Sequence, residues 1–286
     1  MIWVDGRVVE DDALKVSVLD RTFEHGLGLF ETLRTFGGRA VLLDRHLARL
    51  RRSADQLGLQ LGTVRLPDQE AVDRLGHAEG RKADAVLRIT VSGGLADGRQ
   101  VTAWMRALPL VATDPQTGID VEVGRWVVTE ADPFARHKSL NYWARRAAYE
   151  RARRSGFGES LSTGSTSEAD PSIWEGSRTS LFIVEGDALL TPTLEGPIVP
   201  GIMRQLVTDL ARGAGLTVND CGPIALSRAR AADEVFLTNS VRGLIPVARW
   251  HEPETRDEPR RLPAPGPITG RVSALVKDWI DDHARA

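Results

Sequence analysis

Alternating apolar and polar positions near the N-terminus predict two β-hairpins. Each consists of two short β-forming runs on either side of a dipeptide whose residues tolerate the positive φ angles of a tight turn. The first is formed by residues 2–4 and 7–9 around Asp5-Gly6, and the second by residues 31–36 and 39–42 around Gly37-Gly38. Strand pairs joined by tight turns are therefore expected at the start of the chain.

A helical period follows the second hairpin. Apolar residues recur at the spacing of one α-helical face, at positions 43, 47, 50, 54 and 57. Asp44 is expected to cap the start of this helix. The stripe leaves several arginines on other faces, where this residue type is ordinarily solvated or paired with a carboxylate. They are Arg45, Arg49, Arg51 and Arg52.

Strand and helix signals alternate along the rest of the chain and predict a mixed α/β (α+β) fold. The predicted strands are residues 85–91, 101–110, 119–128, 181–184, 188–190, 216–219 and 234–238. Helices are predicted over about 141–155, after Pro200-Gly201, and over 272–283. Residues 113–118, where Pro, Gly and Asp cluster, are the predicted linker between an N-terminal domain (1–112) and a C-terminal domain (119–286). The charged, proline-rich stretch 251–267 is expected to be an exposed loop.

Composition and charge narrow the class of protein. The 286 residues are 42% hydrophobic and 27% charged, which suits a globular protein long enough for two domains. The formal net charge is -2, so no overall basic field is available to attract nucleic acid. No apolar run approaches the ~20 residues of a membrane helix, and the first residues lack the features of a signal peptide. We expect a cytoplasmic protein without nucleic-acid or membrane partners.

Cysteine and histidine give no sign of a metal site. The single Cys221 excludes an internal disulfide framework and a multi-thiolate metal site. The six histidines show no metal-ligand spacing. No metal is predicted.

Four features of the sequence could carry chemistry. Glycines interrupt an apolar run in DRTFEHGLGLFETLR (20–34), as they do where a backbone approaches a ligand closely. LEGPIVPGIMRQL (194–206) leads into a helix start, whose free N–H groups and dipole favour an anion. Glu175 lies in a strand that is expected to be buried, where a carboxylate needs a cation. Arg49 is the fourth, because a phosphate partner would give it a role beyond solvation.

Each feature taken alone also has a purely structural explanation. The glycines fit a loop before a core strand, the Pro-Gly pair fits ordinary helix punctuation, and the partner of Glu175 could simply be an arginine. Lys138, in HKSLNYWARR (137–146), would by itself be a surface charge. The arginines that follow it are interpreted as a solvated helix face, namely Arg145, Arg146, Arg151, Arg153 and Arg154.

In this order, however, the segments resemble the class IV, or fold-type IV, pyridoxal-phosphate aminotransferase family. HKSLNYW is similar to the family's catalytic-lysine segment, WEGSRTSLF to its Glu-Gly-Ser segment, PGIMR to its phosphate-loop helix and ADEVFLTNSVRGLIPV to its last active-site strand. The resemblance covers nearly the whole chain. It implies a two-domain fold with a smaller N-terminal α/β domain and a larger C-terminal mixed α/β domain. It also implies pyridoxal 5′-phosphate as cofactor, a small amino or keto substrate, and a homodimer.

The resemblance implies a role for each matching residue. Lys138 would bond covalently to the aldehyde of the cofactor and move a proton during the reaction. Glu175 would bond the pyridine nitrogen and keep it protonated. Tyr142 would bond the O3′ oxygen. The phosphate would be held by a helix start and two side chains, namely Gly201, Ile202, Met203, Arg49 and Ser240.

Within the family, the segments resemble the branch of aminodeoxychorismate lyases and D-amino acid aminotransferases. The lyases place a threonine near the substrate after a Phe-Glu pair, and Thr32 occupies that position. The best interpretation is a 4-amino-4-deoxychorismate lyase, which releases 4-aminobenzoate and pyruvate. A transaminase that acts on a branched-chain, other aliphatic or D-amino acid, or on an amine, stays open. A noncatalytic ligand-binding relative is the third alternative.

Departures from the family pattern concern the substrate and the packing. Ser92 stands where many relatives place an arginine for the substrate carboxylate, and Ser180 replaces a usual asparagine. The polar segment 160–172 replaces an apolar strand and is expected to be an exposed edge strand or a disordered loop. Without the arginine at position 92, the cation for the substrate would come from Arg99, Arg178 or Arg242, or the substrate would have one carboxylate fewer. Further candidates near the substrate are Phe23, Leu29, Trp143 and Asn239.

Overall fold

Residues 1–111, 117–164, 170–252 and 258–285 are described by a computed structural model of the chain. Their packing divides the protein into two units. The first contains Met1–Ala112, His137–Tyr142 and Ile280–Ala286, and the second contains Thr113–Arg136 and Trp143–Trp279. The segment that carries Lys138 therefore packs with the N-terminal residues. Most of the predicted linker, residues 113–116, lies outside the described residues.

A six-stranded antiparallel sheet organises the first unit. Its strands are β1 (Ile2–Val4), β2 (Arg7–Val9), β3 (Gly28–Phe36), β4 (Arg39–Ala40), β5 (Ala85–Ser92) and β6 (Ala103–Pro109), in the order β2-β1-β6-β5-β3-β4. The helices of this unit are α1 (Arg21–His25), α2 (Leu43–Gln56) and α3 (Gln69–Ala78), with a 3₁₀ turn at Asp11–Ala13. Apolar side chains of α2 and α3 pack with those of β3, β5 and β6 into one core.

Both predicted hairpins are confirmed. Strand β1 pairs with β2, and Asp5 and Gly6 have φ angles of 44° and 82°. Strand β3 pairs with β4 around Gly37 and Gly38, which also have positive φ angles. In each case the dipeptide adopts the left-handed conformation that matches the twist of a strand pair.

The predicted helix over residues 43–57 is confirmed as α2, but its cap is not. The prediction that Asp44 caps the helix is wrong, because the helix begins at Leu43. Leu42 occupies the N-cap position, with a φ angle of 55°. Asp44 lies in the first turn, where its charge still favours the positive end of the helix dipole.

A ten-stranded mixed sheet organises the second unit. Its strands are β7 (Ile119–Val127), β8 (Glu159–Thr163), β9 (Ser172–Gly176), β10 (Ser180–Glu185), β11 (Ala188–Pro192), β12 (Thr217–Cys221), β13 (Ile224–Ala225), β14 (Glu234–Asn239), β15 (Gly243–His251) and β16 (Arg260–Arg261). The order is β12-β11-β10-β14-β15-β7-β8-β9-β13, β16 pairs with β15, and β9 also pairs with β10. Strands β10, β14, β15, β7, β8 and β9 thus form a closed circuit around an apolar core.

Four helices follow or separate these strands in the described part of the second unit. They are α4 (Trp143–Arg154), α5 (Ile202–Gly213), α6 (Leu226–Ala231) and α7 (Pro267–Arg285), the last of which ends among residues that pack with the first unit. Helix α5 begins directly after Pro200-Gly201, as predicted. In the described ranges, no helix combines the length and the apolar character that crossing a membrane requires.

The polar segment 160–172 is where the sequence prediction fails most clearly. Residues 159–163 form β8, which lies between β7 and β9, and all five of its residues are buried. The prediction of an exposed edge strand or loop is wrong, because Leu161 enters the core while Ser162 bonds the backbone of β9. Residues 165–169 lie outside the described residues. Residues 253–257, which belong to the predicted exposed loop 251–267, also lie outside the described residues.

Candidate active site

The lysine segment is bound to the start of β3. The backbone N–H of Phe30 donates to the carbonyl of Lys138 at 3.0 Å, and the N–H of Leu140 donates to the carbonyl of Gly28 at 2.9 Å. Gly28 has a φ angle of 133°, and a Cβ there would lie 2.7 Å from Leu140 and 2.6 Å from the carbonyl of Val91. Only glycine allows this approach, which gives a physical reason for the glycines of residues 20–34.

Two aromatic rings surround the amine of Lys138. Its Nζ lies 4.5 Å from the ring centre of Phe30 and 5.3 Å from that of Tyr142. The two rings meet edge to face with centres 5.1 Å apart. Lys138 is partly buried, so it is not the surface charge that an isolated lysine would be.

One face of the first sheet carries polar and cationic side chains next to this lysine. Phe30 faces the same way as Thr32, and Arg88 lies directly opposite Thr32 on β5. The guanidinium of Arg88 stacks 3.9 Å from the ring centre of Phe30. Burial lowers the pKa of Arg88, and the charge of Arg106, its partner on β6, adds to this effect. A bound anion would offset both the burial of the Arg88 charge and its repulsion from Arg106.

Sequence reasoning missed Arg88. Its signal was present, because it is the one charged residue in a β5 strand whose other residues, AVL and ITVS, are apolar or small and hydroxyl-bearing. A charged residue in a buried strand is uncommon, and Arg88 lies on the face of the sheet that also carries Phe30 and Thr32.

The opposite face of β3 places Glu31 beneath α2. Arg49 donates from Nε to Glu31 Oε1 at 2.8 Å and from Nη2 to Oε2, while Nδ1 of His46 lies 2.7 Å from Oε2. Burial would raise the pKa of Glu31, but the charges of Arg49 and His46 outweigh it and lower this pKa to about 2. Arg49 is therefore buried and fixed in orientation, unlike the other arginines of its helix.

Glu175 lies on β9 in the second unit and is 3% exposed. Its carboxylate accepts hydrogen bonds from Nη2 of Arg145 and from the backbone N–H of Val199. Arg145 is only 11% exposed, so its interpretation as part of a solvated helix face is wrong. Arg146 and Arg153 do lie on the solvated side of α4, at 61% and 65% exposure.

Apart from Arg49, which lies on α2 of the first unit, the predicted phosphate-binding residues lie at two places in the second unit. Gly201 occupies the N-cap of α5 and supplies no side-chain cap to the first N–H groups, which include those of Ile202 and Met203. A Cβ on Gly201 would lie 2.4 Å from Oγ of Ser180, so the helix start is packed closely on β10. Ser240 lies in the β14–β15 turn, which the side-chain oxygen of Asn239 shapes by accepting from two backbone N–H groups.

Glu159 is a second buried carboxylate that sequence reasoning missed. It accepts hydrogen bonds from the turn that follows Glu175, through both the backbone and the hydroxyl of Ser177, the backbone of Arg178 and the hydroxyl of Thr179. Apart from the backbone N–H of Ser160, these donors come from residues 18 to 20 positions away, so no local pattern could identify this carboxylate.

Two of the arginines considered for a substrate carboxylate lie near this turn. The guanidinium of Arg178 stacks 3.4 Å from the ring centre of Tyr149. Burial lowers the pKa of Arg242, and the charge of Arg178 acts in the same direction. Within the described residues, the buried Nε of Arg242 has no hydrogen-bond partner. The pair is suited to an anionic ligand.

Several other predicted site residues lie elsewhere. Leu29 is wrong as a pocket residue, because its side chain is in the core of the first unit. Arg99 is 79% exposed and bonds Asp97 two residues away. Ser92 is fully buried and donates to Asp20, so it offers no group to a substrate. Phe23 and Trp143 are both largely exposed.

Comparison with known proteins identifies the family of the chain. Residues 28–250 match the family model of class IV amino-transferases. The chain belongs to the class IV aminotransferase family. It is 27% identical to the aminodeoxychorismate lyase of Bacillus subtilis over 268 residues, which cover 88% of this chain and 87% of that protein.

Two solved structures have the same fold. The 4-amino-4-deoxychorismate lyase of Pseudomonas aeruginosa is 28% identical, with a TM-score of 0.78 and coverage of 98% of this chain and 100% of that one. A branched-chain aminotransferase of Thermoproteus uzoniensis is 26% identical, with a TM-score of 0.81 and coverage of 96% and 93%. The two-domain fold-type IV architecture and an enzymatic role are thereby confirmed.

The class IV family uses pyridoxal 5′-phosphate, and the groups described above fit that cofactor. When bound, it supplies an aldehyde for an amine and a ring that accepts electrons. For such a cofactor, Lys138 would offer the amine, Glu175 would offer a buried carboxylate to the ring nitrogen, and the start of α5, which has no side-chain cap, would offer N–H groups to the phosphate. In the first unit, Nε2 of the fully buried His46 has no hydrogen-bond partner among the described residues, and a buried polar atom of this kind usually has one.

Proposed function

We propose that this class IV enzyme is a 4-amino-4-deoxychorismate lyase. The substrate loses a proton from the ring carbon that bears the amine, and the neighbouring carbon–oxygen bond breaks, so that the ring becomes aromatic. The released enolpyruvate takes up a proton at its methylene carbon and becomes pyruvate. One molecule of substrate thus yields one 4-aminobenzoate and one pyruvate, with no amino acceptor.

The observation that carries this proposal is the position of Arg88. It stacks on Phe30, the ring that the amine of Lys138 also contacts, and it lies directly opposite Thr32. The proposed substrate has two carboxylates, and an arginine that shares the Phe30 ring with the reactive amine is suited to one of them. Arg178 and Arg242 are the candidates for the other. The two lyases with which the chain shares 27% and 28% identity support the same activity.

The cofactor roles follow from the residues that the chain provides. Lys138 holds the cofactor aldehyde and moves the proton, and Tyr142 bonds O3′. Glu175 bonds the ring nitrogen. Arg49, the N–H groups of Ile202 and Met203 after Gly201, and Ser240 hold the phosphate, while Asn239 shapes the turn that carries Ser240. Arg49 enters this role already fixed by Glu31.

A transaminase is the second candidate, because Arg88, Arg178 and Arg242 would also suit its substrates. A dicarboxylic keto acid acceptor would use the same arginines as the lyase substrate. The 26% identical structure from Thermoproteus uzoniensis is a branched-chain aminotransferase, so the fold accommodates that chemistry. We also propose a homodimer, which the mass measured by light scattering after size exclusion would test against the 31.3 kDa chain.

The deciding experiment measures both activities of the cofactor-loaded protein. With 4-amino-4-deoxychorismate and no keto acid, the lyase releases 4-aminobenzoate, detected by its fluorescence after chromatography. Lys138→Ala should abolish the release. Failure of the wild-type protein to form 4-aminobenzoate, together with transfer of an amino group from an amino acid to 2-oxoglutarate or pyruvate, would replace the lyase by the transaminase.

A further inference from the structure

We propose that Arg145 is a positioning residue that fixes the carboxylate of Glu175 for the ring nitrogen of the cofactor. The inference depends on the role proposed above for Glu175. It goes beyond that role because it assigns a function to an arginine on α4, seven residues after Lys138, which the sequence pattern placed on a solvated surface.

Arg145 is held in place by three contacts within the second unit. Its Nη2 donates to Oε1 of Glu175 and, at 3.3 Å, to the carbonyl of Ala135. Its guanidinium also lies 5.0 Å from the ring centre of Trp126. An ion pair between an exposed, mobile arginine and a carboxylate contributes little stability. The guanidinium of Arg145 is instead held by a carbonyl and an aromatic ring, so its orientation toward Glu175 is fixed in advance.

Glu175 is held equally firmly from the other side. The N–H of Val199 lies 3.2 Å from Oε1 and 3.3 Å from Oε2. Its own backbone is bonded to the hydroxyl of Ser162 through both N–H and carbonyl. Arg145 thus contacts Oε1, and the carboxylate has little freedom to turn.

The charge of Arg145 has a chemical consequence for the ring nitrogen. A buried carboxylate is costly unless a cation accompanies it, and an adjacent guanidinium favours the ionised form. Arg145 provides that cation whether or not the cofactor is present. A protonated ring nitrogen therefore meets a carboxylate that is already charged and oriented.

The test compares two ligands that differ only at the ring nitrogen. Pyridoxal 5′-phosphate and its 1-deaza analogue, in which CH replaces that nitrogen, both carry the aldehyde and the phosphate. Calorimetric titration of the apoprotein gives the ratio of their affinities. We expect the wild-type protein to prefer pyridoxal phosphate, Arg145→Met to reduce this preference about tenfold, and Arg145→Lys to restore part of it. Arg146→Met, which changes an exposed neighbour paired with Glu150, should leave the ratio unchanged.

Each outcome assigns the failure to one proposal. If Arg145→Met keeps the wild-type ratio, the positioning role is refuted and the pair only stabilises the fold. If the wild-type protein itself does not distinguish the two ligands, the role of Glu175 fails first. Glu175→Gln provides an independent variant in case Arg145→Met does not fold. It should lose the preference, and adding Arg145→Lys to it should cause no further loss, whereas a further loss would contradict action through Glu175.

Discussion

Glu31 and Arg49 form a buried, two-pronged ion pair between β3 and α2. Arg49 donates to both oxygens of the carboxylate, and His46 contacts the same group from one turn earlier on the helix. The proposed phosphate ligand is therefore oriented by a strand residue that belongs to the Phe-Glu pair preceding Thr32. One short segment, FET, thus supplies an aromatic surface for Lys138, an anchor for Arg49 and a residue opposite Arg88.

The first prediction concerns stability in acid. The main cause that lowers the pKa of His46 is burial, and the charges of Arg49 and Lys138 act in the same direction. Below the unfolded value of 6.5, the unfolded state takes up a proton that the native state refuses, so the free energy of unfolding falls as the pH decreases. A second fall begins below 4.5 and extends to about 2, as the unfolded state protonates Glu31.

Urea unfolding at a series of pH values measures both phases. His46→Asn keeps an amide that can donate to Glu31 but removes the titrating ring, so the first phase should disappear while the second remains. An equal slope in the variant and the wild-type protein between pH 6.5 and 4.5 would show that other groups control this range.

Local patterns predicted the elements that depend on neighbouring residues. The Asp5-Gly6 and Gly37-Gly38 turns, the apolar stripe of α2 and the start of α5 after Gly201 are all properties of a few consecutive residues. Their conformation is decided by φ preference and by periodicity, which the sequence displays directly.

Residues whose environment comes from distant strands were not predictable in this way. Strand β8 is polar in sequence, yet it is central because β7 and β9 enclose it. Arg145 has the local surroundings of a solvated arginine, and only the position of Glu175, thirty residues later, makes it a buried partner. Site residues of this kind require the tertiary pairing of strands before their role can be recognised.

The second prediction concerns Arg88 and the substrate. Arg88→Met keeps an apolar stem against Phe30 but removes the charge, so it should raise the KM for 4-amino-4-deoxychorismate about 10- to 100-fold, with a smaller change in kcat. Steady-state kinetics of 4-aminobenzoate release measures this. Arg99→Met is the matched control, because Arg99 is exposed and should leave both constants unchanged. Equal effects of the two substitutions would assign Arg88 a general electrostatic role instead.

The third prediction concerns Glu159. Glu159→Ala leaves the donors of Ser177, Arg178 and Thr179 without their acceptor in a buried turn. The free energy of unfolding should fall by on the order of 3 kcal/mol, as determined by urea titration. Glu195→Ala, at an exposed position, should change it by less than about 0.5 kcal/mol. A similarly small change at both sites would mean that water replaces the carboxylate without cost.

The fourth prediction concerns the close packing of Gly201 on Ser180. The φ angle of Gly201 is −64°, so alanine is allowed by the backbone, but its Cβ would lie 2.4 Å from Oγ of Ser180. Gly201→Ala should therefore displace the start of α5, cost about 1–3 kcal/mol of stability and weaken binding of pyridoxal 5′-phosphate. Adding Ser180→Ala removes the hydroxyl and should restore both quantities. Gly270→Ala, at a helical position with open space, should instead stabilise the protein by about 0.5–1 kcal/mol.

The pair of variants separates steric displacement from loss of glycine itself. Thermal unfolding and cofactor titration should be measured on both single variants and on the double variant. If the double variant remains as defective as Gly201→Ala, the defect does not arise from the contact with Ser180, and the N–H groups of Ile202 and Met203 need glycine for another reason. Recovery of stability without recovery of cofactor binding would mean that the added methyl group itself, and not a displaced helix, interferes with the phosphate at the start of α5, whereas a Gly201→Ala variant that binds the cofactor normally would place the phosphate elsewhere.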